Sequence, residues 1–71
     1  MSTHSGRITG PVLYQAEGGY QVSIPLGPCL VDQVDDRSID IVWGALGQNS
    51  AALPVTAVKA ALVDGDLMLL D

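Results

Sequence analysis

The stretch 30–44, LVDQVDDRSIDIVWG, constrains what this chain can fold into more than any other. Two apolar half-strands flank a polar turn, and the second ends on the only tryptophan, Trp43. This pattern predicts a hairpin at the centre of the fold. Its register follows from which side chains face each other. With Val34 opposite Ile39, Leu30 meets Trp43 on one face and Val31 meets Val42 on the other, so the apolar ends match. A shift by one residue, with Val34 opposite Ser38, sets Asp32 against Asp40, and like charges in facing positions are destabilising. The first register is therefore the expected one, with Asp35, Asp36, Arg37 and Ser38 as a four-residue loop. One residue sits awkwardly in it: Asp32 falls on the face of Leu30 and Trp43.

A chain of 71 residues makes one small domain, expected over 7–71 behind a loose polar arm at 1–6. Domains of this size bury only about 60% of their unfolded surface, so they need reinforcement. Cys29 is the single cysteine, which excludes an internal disulfide. Together with the one histidine, His4, it cannot supply the four Cys and His ligands of a structural zinc site. Oligomerisation or a partner remains. Hydrophobic residues make up 48% of the chain and its mean hydropathy is +0.34, which is apolar for a molecule with so much unavoidable surface. An exposed apolar patch covered by a second copy is the expectation, and hence a homo-oligomer.

The formal charge is −5, with Arg7, Arg37 and Lys59 the only Arg and Lys residues, so no basic stripe exists to neutralise phosphates. Nucleic-acid binding is not expected. The acidity suits solubility, attraction of a basic protein partner, or imitation of the charge of a nucleic acid, with solubility the plainest reading. No apolar run approaches the roughly 20 residues of a membrane span, and the start, MSTHSGR, lacks the apolar core of a signal peptide, which together point to a cytoplasmic address.

Along the chain, 7–16 is β-like but interrupted by Gly10-Pro11, a pair suited to a kink or an edge. A three-residue turn at Glu17, Gly18 and Gly19 pairs Ala16 with Tyr20, Tyr14 with Val22 and Val12 with Ile24, and sets Gly19 in the left-handed position. Tyr20, Val22, Ile24 and Leu26 then alternate inward. Gly27-Pro28 breaks the chain before the central hairpin, and 44–50, GALGQNS, reads as a loop. The remainder admits two readings. Pro54 opens a short helix with Val55, Val58 and Leu62 as its buried stripe, ended by Gly65 before a closing strand; or Asp64-Gly65 is a type I′ turn joining two strands. The alanines favour the helix. The sum is a mainly β fold, a small SH3-like or partly open barrel of four to six short strands with one short helix near the C-terminal end.

Catalytic chemistry finds little to work with. His4 lies on the expected arm, away from any fixed nucleophile. Cys29, beside Leu30 and Val31, has no basic neighbour in sequence to lower its pKa and reads as a small core residue. Asp35, Asp36 and Asp40 form an acidic turn, but DQVDDRSID lacks the spacing and terminal Glu of a calcium loop, so no metal or cofactor is implied. Trp43 is either the largest piece of the core or an interface anchor. With Asp32 on its face, a groove of Trp43, Tyr20 and Asp32 is the candidate contact surface. The reading that follows is a non-enzymatic interaction module, with a binding or catalytic site built between subunits as the alternative.

Overall fold

The computed structural model describes residues 2–70, and the side chains of all of these but Ser2 and Glu17. Among the described residues seven strands, one α-helix and a short 3-10 turn at Glu17–Gly19 follow one another. Strand β1 (Ser2–Ile8) leads into a small hairpin of β2 (Leu13–Gln15) and β3 (Gln21–Ser23). A three-strand meander follows, β4 (Gly27–Gln33), β5 (Ser38–Trp43) and β6 (Asn49–Pro54). Helix α1 (Val55–Asp64) then carries the chain to β7 (Leu67–Leu69). Five strands form one antiparallel sheet in the order β6-β5-β4-β1-β7, and β2-β3 form a separate pair, so the fold is mainly β with two sheets that do not close into a barrel.

The core lies between the large sheet and its cover of α1 and the small hairpin. Ile8, Cys29, Val31, Ile39, Ile41, Leu53 and Leu67 reach it from the sheet, Val12 and Ile24 from the base of the hairpin, and Val58 and Ala61 from the helix. No polar or charged side chain is buried among the described residues.

The central hairpin exists, but in the register that like-charge repulsion argued against. Cys29 faces Trp43, Val31 faces Ile41 and Asp32 faces Asp40. Magnitudes explain the outcome. Facing carboxylates on a solvated surface cost of the order of 0.2–1 kcal/mol. The expected register would have set Asp32 on the face that buries Ile39 and Ile41, and an unpaired buried charge costs far more. The observed pairing sends both carboxylates outward and gathers Cys29, Val31, Ile39 and Ile41 inside. The turn is also one residue shorter than expected. Ser38 belongs to β5, and Asp35 closes a three-residue loop because its Oδ1 accepts the backbone N–H of Arg37 at 2.7 Å and of Ser38 at 2.8 Å.

The expected arm at 1–6 is likewise strand from Ser2 onward, with Met1 outside the described residues. Ser2–Ile8 runs between β4 and β7 and is hydrogen-bonded on both sides. Its polar composition hid it, since the residues it sends outward are Thr3, Ser5 and Arg7 and its buried positions are Gly6 and Ile8. Gly6 is where β1 passes closest to its neighbours: a Cβ there would stand 3.0 Å from the Met68 carbonyl oxygen and 3.2 Å from Val31 Cγ2.

The small hairpin keeps the expected register. Tyr14 faces Val22, the Ala16 N–H donates to the Tyr20 carbonyl at 2.7 Å, and the Ile24 N–H donates to the Val12 carbonyl at 2.8 Å. Its apolar face is buried only at the base, however. Ile24 is enclosed, whereas Val22 and Tyr20 are exposed because the two-stranded ribbon extends past the core it covers, and Leu26 is exposed in the connector to β4.

The helical reading of the C-terminal segment holds. Pro54 precedes the first turn, and Gly65, in the left-handed conformation, ends the helix by donating to the Ala61 and Leu62 carbonyls. Of the expected stripe, Val58 is buried and Val55 packs partly buried against the core, but Ala61 takes the place of Leu62, a helical step of three in place of four. The 44–50 loop is shorter than expected too, since Asn49 and Ser50 are the first residues of β6.

Candidate functional site

The sheet covers its core on one face only. On the other, the register lays the outward side chains in three rows across the strands. Arg7 stands beside Pro28 and Met68. Two residues along, Ser5 stands beside Leu30, which faces Val42 and through it Ser50, while the Leu70 N–H reaches the Ser5 carbonyl on the far side. Two residues further, Thr3 faces Asp32, Asp32 faces Asp40, and Asp40 faces Ala52. The outer face is thus cationic at one end, apolar across its middle and acidic at the other.

The apolar middle row is open to solvent. Leu30 and Leu70 are about half exposed, as is Met68 in the neighbouring Arg7 row, and Leu46, at the tip of the 44–48 loop, is 91% exposed. That loop is held by a turn in which the Gly47 N–H donates to the Gly44 carbonyl at 3.1 Å, while Gln48 Oε1 accepts the Leu46 N–H at 3.0 Å. Leu30, Val42, Trp43, Leu46 and Leu70 line a shallow groove of about 450 Å³ at this end of the sheet.

The three residues of the expected contact surface are not brought together. Asp32 and Trp43 point to opposite faces, because Trp43 faces Cys29, three positions from Asp32 and of opposite parity. Asp32 instead accepts the Thr3 Oγ1 hydroxyl at 3.2 Å on the outer face. Tyr20 is 72% exposed where the loop of the small hairpin joins β3. The aromatic neighbour of Trp43 is Tyr14, with ring centroids 5.5 Å apart and planes tilted by 56°. Trp43 is half-buried against the core and so joins the small hairpin to the large sheet.

The acidic turn divides in a similar way. Asp35 caps the loop, Asp36 is exposed at its tip, and Asp40 belongs to the outer face of β5. Cys29 is enclosed on the inner face, where burial pushes its thiol above the ordinary value. His4 is exposed on β1 opposite Val31. Among the described residues no three His, Cys, Asp or Glu side chains converge as a metal site would require, and no helix is long and apolar enough to cross a membrane.

Sequence reasoning missed Met68 and Leu70. The signal was present in LMLL: four apolar residues in a row cannot all face one side of a strand, so half of them must face away from the core. Comparison of the chain with protein-family models, with curated proteins and with solved structures finds no match.

Proposed function

We propose that this chain is a non-enzymatic interaction module that self-associates and presents an acidic rim to a protein partner. The observation that carries the reading is the uncovered outer face, where Leu30 and Met68 on the sheet, and Leu70 just past β7, stand together in solvent. An apolar patch of this kind on a small soluble domain marks an interaction surface. The element order supports an SH3-like, partly open barrel as the parent architecture. A first strand is followed by a projecting hairpin, a three-strand meander and a helix, and the last strand returns beside the first.

Sedimentation velocity over a wide concentration range tests the proposal. The wild-type chain is expected to sediment as a dimer or larger at micromolar concentration, and Leu30→Asp, an outward and half-exposed position, is expected to sediment as a folded monomer. A wild-type chain that stays monomeric at every concentration would refute self-association.

A further inference from the structure

We infer that a second copy of this chain covers the outer face about a two-fold axis running across the strands, so that Arg7 of each copy meets the acidic row of the other. This rests on the self-association reading above and gives it a geometry. The charge pattern selects the axis. The two charged rows flank the apolar row at two residues' distance on either side, about 7 Å each way. A two-fold axis across the strands, through the middle row, leaves Leu30 and Val42 facing their own counterparts and exchanges the ends. Each Arg7 then lies over Thr3 of the other copy, one strand from Asp32 and two from Asp40, at strand spacings of about 4.8 Å. An axis along the strands would do the opposite, keeping each row at its own level, so that the acidic row of one copy lies over the acidic row of the other and four carboxylates come together.

Two further observations agree. Asp32 and Asp40 face each other in the ladder, an arrangement that is unfavourable in the isolated sheet and that an incoming guanidinium offsets. The size of the face also lies near the lower bound of a specific interface. Five strands at about 4.8 Å spacing, four of six or seven residues and β7 of three, present at most about 24 Å by 20 Å, and two such faces bury at most close to the roughly 1,000 Å² that a specific interface requires. Sheets packed face to face about 10 Å apart leave room for an arginine to reach a neighbouring row.

Charge reversal tests the geometry by sedimentation equilibrium at low ionic strength, with thermal melts followed by circular dichroism to show that each variant is folded. Arg7→Glu and Asp32→Arg are each expected to raise the dimer dissociation constant by about tenfold or more, and the double variant to return to within about threefold of wild type, because each symmetric contact is then rebuilt with its signs exchanged. A monomeric wild type would remove the self-association reading itself. A dimer that Leu30→Asp leaves intact would place the interface elsewhere and overturn this inference alone. So would a dimer that Leu30→Asp dissociates but that is insensitive to both single reversals, or in which the double variant is not rescued.

Discussion

Asp35 shows how one side chain can set the register of a whole sheet. Its carboxylate accepts two successive backbone amides of the turn, and the three-residue loop it closes decides that Val31, not Leu30, points inward. Asp35→Ala is therefore expected to lower stability by about 1–2 kcal/mol, the value of two hydrogen bonds to a charged acceptor discounted for exposure. Urea denaturation measures it, and an unchanged midpoint would show that the strands alone hold the register. The same residue explains why the pairing was misjudged from sequence. Facing aspartates are conspicuous on the page, whereas the capping role of Asp35 and the cost of carrying Asp32 toward Ile41 become visible only when loop length and face are weighed together.

Elements were legible in proportion to how much apolar periodicity they carry. The β2-β3 register could be read in full because Tyr14/Val22 and Val12/Ile24 leave one sensible pairing, and α1 because three alanines, a leading proline and a terminal Gly65 agree. Strand β1 could not be read, since an internal strand bonded on both sides needs few apolar side chains when its neighbours supply them. Gly6 occupies an inward position precluded to larger residues, and to the eye it resembles linker composition. At the helix end, Gly65 holds φ at 80° with open space around its missing Cβ. Gly65→Ala thus incurs backbone strain without a steric clash and is expected to cost about 1 kcal/mol in thermal or urea melts. A loss several times larger would mean that the turn also carries packing, which the open space around it contradicts.

For the molecule as a whole, the core contains one titratable group, Cys29, among the buried residues described. Burial raises its pKa above the ordinary thiol value of 9.0. Between that value and the folded one, the unfolded chain releases a proton that the folded chain keeps. Stability from this source is therefore complete below pH 9.0 and declines as the pH rises through the folded pKa. Urea melts from pH 7 to 10.5 are expected to show wild type losing stability on the alkaline side relative to Cys29→Ala, at a slope of at most about 1.4 kcal/mol per pH unit. Parallel curves would show that the thiol ionises freely in the fold. The candidate site was legible only as a kind of surface: composition announced an uncovered apolar patch, but not its position, because that depended on a register and a strand the sequence obscured. A last consequence follows from β1 standing between β4 and β7. Its two neighbours lie on opposite sides of it in space but are made at very different times, since β7 follows every other strand of the sheet in chain order. Until Leu67 and Leu69 have emerged, β1 is left with a bare edge, and the growing chain carries an unfinished sheet whose row of backbone bonds to β7 is still unmade.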